Sequence, residues 1–151
     1  MIPLLVVAAV AWAVVLLTAP WLPPPLTAVV YELGAYICHQ RPDRSFHIAT
    51  SQLPVCARCI GVYCGAAIGG LAIPAFRRLV RSRLAIAAAV VPGLVSWLLE
   101  WTGLAHPDNA TRAATGAVAG FVIAAVLLAT LHYEQCVPRR PIAPSPPPTP
   151  I

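Results

Sequence analysis

The chain contains no lysine and few charged residues of any kind, and this scarcity argues against a soluble fold. Only 10% of its 151 residues are charged, whereas 59% are hydrophobic, and the mean hydropathy is +0.78. A water-soluble domain of this length has too little interior to bury so much apolar surface. The composition therefore predicts an all-α integral membrane protein of one domain, located in the cell membrane.

Because lysine is absent, the formal net charge of +5 comes from ten arginines. They stand in short runs between apolar segments, whereas a protein that binds nucleic acid needs a contiguous basic face. We therefore expect no nucleic-acid partner. The distribution is typical of membrane topology and of contact with anionic lipids. We expect the lipid bilayer as the main partner, and a homo-oligomer as a further association.

Apolar runs predict about four transmembrane helices and one short interfacial helix within residues 1–136. A helix needs about 20 apolar residues to cross the hydrocarbon core, so a run of a dozen residues is too short to span it. The spans are placed at residues 2–19, 56–76, 84–101 and 113–131, and the interfacial helix at 26–37.

Prolines mark the ends of these segments. Pro20 and the prolines that follow it should stop the first span, and Pro92 with Gly93 should break the third near its middle. A cleaved signal peptide is the alternative interpretation of the first span, but no positive residue precedes its apolar run. Residues 137–151 are mostly proline and small polar residues, and we expect this tail to be disordered.

The arginines also predict the orientation of the chain. Those at 77–83 and in the tail place six positive charges on one side of the membrane, against four on the other. Since cytoplasmic loops carry the excess of positive charge, both termini should lie in the cytoplasm. The polar loop at 39–53 and the segment at 102–112 should then lie outside.

Four of the five cysteines and two of the four histidines lie between Cys38 and Cys64. The pair Cys56 and Cys59 directs two sulfurs to one point, and Cys38 with His39 completes a four-ligand set suited to tetrahedral zinc. His47 is the alternative histidine. We expect zinc at the extracytoplasmic face, with other transition metals left open.

The same spacing fits other uses of the thiols. Cys56 and Cys59 could exchange disulfides with Cys38 as a resolving thiol, or the cysteines could form a structural bridge or simply pack in the interior. Arg58 would lower the thiol pKa values and assist metal binding and exchange alike. Cys64 is expected to be a packing residue.

A second group of polar residues lies at the ends of the third and fourth spans. A carboxylate or guanidinium at the membrane edge is costly unless it is paired or functional. One interpretation is a pocket facing the cysteines, and the other is an ion pair between Glu100 and Arg112 with Asp108 or Asn109 capping a helix. The candidate pocket residues are Arg44, Arg58, Glu100, Asp108 and Arg112.

Glycines four residues apart predict where two spans meet. Small residues at this spacing let helix backbones approach closely in lipid. The expected packing faces consist of Gly61, Gly65 and Gly69 on the second span and Gly116 and Gly120 on the fourth.

The order Cys38-His39-Gln40, then Arg44-Ser45-Phe46, then Cys56-Ala57-Arg58-Cys59 with Gly61 and Tyr63 resembles a family of small bacterial and archaeal membrane proteins known only as a domain of unknown function. The resemblance covers roughly residues 30–120. It implies a topology and favours functional roles for His39 and Arg44. It implies no activity.

Three functions therefore remain open from the sequence, and it does not decide whether the protein is an enzyme. They are a membrane protein with a metal site, a membrane thiol oxidoreductase, and a transporter or channel subunit. The geometric prediction that tests the shared metal site is that Cys38, Cys56 and Cys59 converge, with His39 in reach and with Glu100 and Arg112 on the same side.

Overall fold

The computed structural model describes residues 2–48, 50–76 and 82–136, and this part of the chain is mostly helical. The helices are α1 (Ile2–Thr18), α2 (Pro24–Ile37), α3 (Ala57–Phe76), α4 (Arg83–Trp101) and α5 (Asn109–Cys136). Strands β1 (His47–Ile48) and β2 (Ser51–Gln52) form an antiparallel hairpin, with His47 opposite Gln52. The arginine run at 77–81 and the tail at 137–151 lie outside the described residues.

Prolines both end and begin helices between α1 and α2. Helix α1 ends at Thr18, and a 3-10 turn at Ala19–Trp21 follows it. Pro24 and Pro25 then open α2, because the first turn of a helix does not need the N–H groups that proline lacks. The following loop is also more ordered than the sequence indicates, since it contains a 3-10 turn at Pro42–Arg44 and the hairpin.

The helices differ from the sequence-based expectations at two points. Helix α4 runs without a break through Pro92, since the single hydrogen bond that proline removes does not outweigh the remainder of the helix. Helix α5 begins at Asn109, so Arg112 lies in its first turn rather than in the preceding segment. Asp108 caps this turn, with its Oδ1 accepting a hydrogen bond of 2.7 Å from the backbone N–H of Thr111.

Helices α3 and α5 run parallel and touch backbone to backbone. A side chain added at Gly61, Gly65 or Gly69 would overlap the backbone of Ala113, Ala117 or Phe121, respectively. On the other side of the contact, Gly116 meets the carbonyl of Arg58 and Gly120 meets that of Val62. We call this contact the glycine seam. It fixes α3 and α5 in one register.

The other long helices run against this pair. Val6 of α1 lies beside Gly70, and Trp12 meets Tyr63 edge to face with ring centroids 6.2 Å apart, so α1 is antiparallel to α3. Glu100, at the end of α4, meets Arg112 at the start of α5. The beginnings of α3 and α5 and the ends of α1 and α4 therefore lie at one end of the bundle, which we call the polar end.

Apolar side chains cover the outside of the bundle. Leu71 is 65% exposed and Ile123 57% exposed, whereas small Ala125 is fully buried. Exposed apolar area on this scale is a liability in water and suits helices that face lipid. Two segments, Ile2–Trp21 and Asn109–His132, are long and apolar enough to cross a membrane, and Ala57–Ala72 and Ile86–Trp101 are shorter apolar helices.

Candidate metal centre and arginine cluster

Three cysteines from separate points of the chain meet at the polar end. Cys38 directly follows α2 in an extended conformation, Cys56 directly precedes α3, and Cys59 lies in the first turn of α3. Their Sγ atoms all lie within 4.8 Å of one another, and all three side chains are free thiols. The three thiols are thus gathered as a set of soft ligands without a disulfide.

The histidines expected to join them are not part of this group. His39 is exposed and lines the same cavity as the cysteines, but the ligand atoms within 4.8 Å of one another are three sulfurs only. His47 lies elsewhere, on β1, where it lines an apolar groove that also contains Cys64. Among the described residues, the candidate ligand set is therefore three cysteines.

Backbone N–H groups point at the sulfur of Cys38. The N–H of Cys56 donates to Cys38 Sγ at 3.2 Å and the N–H of Gln40 at 3.5 Å. Such donors stabilise a thiolate and orient it as a ligand. The loop thus directs two donors at the Cys38 sulfur, a role for backbone groups that residue spacing did not reveal.

Gln40 holds this loop in place. It has a left-handed backbone with φ of 48°, and its Nε2 donates to the carbonyls of Tyr31 at 2.7 Å and Pro54 at 2.8 Å. Gln52 donates in turn to the Gln40 carbonyl at 2.7 Å. These bonds connect α2 and β2 with the approach to α3, so Gln40 positions Cys38 relative to Cys56.

Glu100 is surrounded by three arginines and is only 6% exposed. Its carboxylate lies 3.0 Å from Arg44, 3.2 Å from Arg58 and 2.9 Å from Arg112. The ion pair between Glu100 and Arg112 that the sequence suggested is present. It belongs to a larger network that joins the loop, α3, α4 and α5.

The guanidinium of Arg58 is directed to this network. It donates to the Gly93 carbonyl at 3.1 Å and to Ser96 Oγ at 3.3 Å in addition to Glu100. All the described hydrogen bonds of this guanidinium go to α4, and its lowering of the cysteine pKa values stays a prediction. Ser96 is a partner that sequence reasoning missed, because nothing in its neighbours distinguishes it.

Asn109 joins the start of α5 to the loop. Its Oδ1 accepts from Arg112 Nη1 at 2.9 Å, and its Nδ2 donates to the Ser45 carbonyl at 3.1 Å. Asp108, rather than Asn109, caps the first turn of α5. Asp108 does not line the cavity. Hydrogen bonding from Thr111 holds the pKa of the Asp108 carboxyl below its ordinary value.

The thiols and the ion network line one cavity of about 360 Å³. Its charged and sulfur-bearing residues come from the loop between α2 and α3 and from α3, α4 and α5, and Trp97 and Ile37 supply apolar walls. The lining also includes Cys38, His39, Gln40, Arg41, Arg44, Cys56, Arg58, Cys59, Glu100 and Arg112. A small molecule in this cavity would contact sulfur on one side and guanidinium groups on the other.

Comparison with known proteins finds uncharacterised relatives of this chain. An uncharacterised protein of Methanocaldococcus jannaschii is 32% identical over 107 residues, which cover 68% of this chain and 69% of that protein. An uncharacterised protein of Methanothermobacter thermautotrophicus is 31% identical over 100 residues, covering 64% and 89%. No solved structure was found to match the chain.

A family model described as "Predicted membrane protein (DUF2085)" matches residues 38–126, which begin at the first cysteine of the cluster and include Glu100 and Arg112. The chain therefore belongs to this family of membrane proteins.

Proposed function

We propose that the protein is a multi-pass membrane protein whose three cysteines hold a metal ion, zinc by their chemistry, at the extracytoplasmic end of the bundle. The observation that carries this proposal is the convergence of three free sulfurs within 4.8 Å. Thiolates bound to one zinc at about 2.3 Å lie roughly 3.7 Å apart. Only a small contraction separates the observed arrangement from that geometry.

The number of ligands bears on what the metal would do. Structural zinc sites have four protein ligands, whereas catalytic sites have three and keep one position for water or substrate. Here three sulfurs face a cavity lined by Glu100 and arginines. This arrangement favours a metal that binds a small molecule over one that only ties the fold together.

The location in the membrane rests on charge and on helix direction. Residues 39–53 contain too few apolar residues to cross a bilayer, so the end of α2 and the start of α3 lie at one face. The arginine excess on the opposite side supports an extracytoplasmic face for the polar end. With α1, α3, α4 and α5 as spans, both termini are cytoplasmic.

Thiol exchange is the competing function, and the same convergence supports it. Cys56 and Cys59 form a free Cys-x-x-Cys pair with a third thiol beside it, which is the minimal equipment for forming and resolving a disulfide. The two functions differ in an observable way. A metal centre keeps all three thiols reduced, whereas an exchanging pair cycles between reduced and oxidised forms.

Metal analysis of the full chain, purified in detergent with a reductant present, tests the proposal. We expect one zinc per chain, lost in Cys38→Ser, Cys56→Ser and Cys59→Ser. Cys64→Ser is the matched control and should keep its zinc, because Cys64 lies outside the group of three. His39→Ala should also keep it, which tests the three-sulfur assignment.

Absence of stoichiometric metal from the wild-type protein would contradict the metal centre. Thiol trapping in intact cells then decides for the competing function if Cys56 and Cys59 are recovered as a disulfide. Recovery of all three cysteines as free thiols in cells would argue against exchange.

A further inference from the structure

The cavity carries more positive charge than its own carboxylate balances. Arg44, Arg58 and Arg112 all contact Glu100, the one carboxylate among the described residues that line it. Arg41 lines the cavity as well, but Asp43 balances its charge at 3.2 Å. The three guanidinium groups on Glu100 thus meet one carboxylate, and two positive charges are left over.

Two of the three arginines that carry this excess positive charge are largely shielded from water. The side chain of Arg112 is 9% exposed and that of Arg58 is 21% exposed. Buried charge requires a partner of opposite sign, because the interior does not solvate it as water does. An anion in the cavity would supply that partner.

Two guanidinium nitrogens also lack hydrogen-bond acceptors among the described residues. The Nε atoms of Arg44 and Arg112 are buried and have no hydrogen-bond partner there, since the Asp43 carboxylate is 3.6 Å from Arg44 Nε, beyond hydrogen-bond distance. Both belong to side chains that line the cavity. Planar guanidinium groups match the oxygens of phosphate and carboxylate, which accept two parallel hydrogen bonds.

We propose that this cavity binds a phosphate group, held by Arg44 and Arg112 beside the three thiols. Phosphate suits the site better than carboxylate because its several oxygens can engage more than one guanidinium and its charge matches the excess. The phosphate can belong to free inorganic phosphate or to a lipid headgroup, since the polar end of the bundle is where headgroups lie.

The inference goes beyond the metal centre and does not depend on it. With Zn²⁺ held by three thiolates, the centre contributes one negative charge, and one positive charge of the cavity still lacks a partner. A phosphodiester carries a single negative charge and would balance it. An anion is therefore needed to balance the arginines of the cavity, whether or not the thiols hold a metal ion.

Calorimetric titration of the full chain in a neutral detergent tests the proposal, at one fixed salt concentration that screens exposed surface charge. One arm uses inorganic phosphate and the other a short-chain phosphatidic acid. We expect one saturable site, and a loss of about tenfold or more in affinity in Arg44→Gln, since a bidentate charged contact is removed. Saturation by phosphate identifies a free anion, and saturation by the lipid alone identifies a headgroup.

Arg41→Gln is the matched control, because Arg41 is 57% exposed and lies three residues from Arg44. It should bind with nearly wild-type affinity. Arg44→Lys keeps the charge but not the planar fork and should fall between wild type and Arg44→Gln. It carries the test if Arg44→Gln does not fold.

Failure of this inference can be told apart from failure of the metal proposal. Arg44→Gln should keep its zinc, and Cys56→Ser should keep a saturable phosphate site. The inference is overturned if neither probe saturates the wild-type protein, or if Arg41→Gln weakens binding as much as Arg44→Gln does.

Discussion

Among single residues, Glu100 has the widest structural effect at the polar end. It receives guanidinium groups from three segments that are distant in sequence, and it is nearly inaccessible to solvent. A buried ion network contributes modest net stability while it is complete, but removing one partner strands the others without counter-charge. Loss of this carboxylate should therefore cost more than loss of any exposed charge.

We expect Glu100→Gln to destabilise the folded protein by about 3 to 5 kcal/mol, the usual cost of breaking a buried charge network from one side. Asp43→Asn is the matched control and should change stability little, since Asp43 is 58% exposed and surface ion pairs contribute little. Denaturation in detergent measures both. Equal effects in the two variants would show that Glu100 is not the centre of the network.

Asp108 gives a dependence on pH whose sign follows from its lowered pKa. Because the folded protein holds this carboxyl ionised more strongly than the unfolded chain does, its contribution is present above the ordinary pKa of about 3.9 and is lost as pH falls through the folded value. Asp108→Asn keeps a side chain that can cap α5 but cannot titrate.

The expected result is a smaller loss of melting temperature in Asp108→Asn than in wild type between about pH 5 and pH 3. Melting curves at both pH values measure the difference. Parallel losses in the two proteins would mean that the cap does not contribute through its charge.

Among the contacts between secondary-structure elements, the glycine seam between α3 and α5 tolerates the smallest increase in side-chain volume. The backbones touch at every glycine of the repeat, so even a methyl group has no free space. In lipid, such close packing replaces the hydrophobic effect as the source of helix association. The seam also holds Cys59 and Arg112 at one level, because both lie one turn or less from its first contacts.

We expect Gly65→Ala to destabilise the protein by about 1 to 3 kcal/mol, as overpacking does in a tight interior. Gly93→Ala is the control, because its added methyl would meet Thr115 at an ordinary 3.7 Å. Alanine is also the better helix former by about 1 kcal/mol in water, so this control should be neutral or stabilising. Thermal unfolding of both variants in one detergent gives the comparison.

Helix α4 shows why a local signal can mislead. Proline removes one donor and disfavours helix on its N-terminal side, which indicated a break at Pro92. The helix nevertheless runs through this position, and Arg58 of a neighbouring helix bonds to the carbonyl of Gly93. The sequence shows the proline, but it does not show that Arg58 of α3 packs against this part of α4. The broken span, one support for a transporter or channel, is therefore absent.

For the whole molecule, the distribution of arginines alone predicts the orientation in the membrane. The runs at 77–83 and 139–140 predict a cytoplasmic face, opposite to the cysteines. A reporter fused after Arg140 should be active in its cytoplasmic form, for example as a fluorescent protein, and inactive as a phosphatase that requires export. Replacing the arginines at 77–81 with glutamine should weaken this preference, and an active phosphatase in the wild-type fusion would reverse the orientation.

The sequence predicts the helices because each of them lies on an apolar run, and the first two predicted spans end directly before Pro20 and Arg77. It also indicates Cys38, Cys56 and Cys59 as one group, since the spacing of a Cys-x-x-Cys pair is local. It does not place His39, because residue spacing does not give the direction of a side chain in an irregular loop. Nor does it reveal three arginines on Glu100, because their convergence requires the packing of four segments.

The seam has a consequence for how the chain is made. Helix α3 is synthesised before α4, but its glycine face is complementary to α5, which emerges last. Until α5 is synthesised, α3 lacks its closest neighbour and Glu100 lacks Arg112. We therefore expect the bundle to close in one late step, and chains that stop before Asn109 to be recognised by the cell as unfinished.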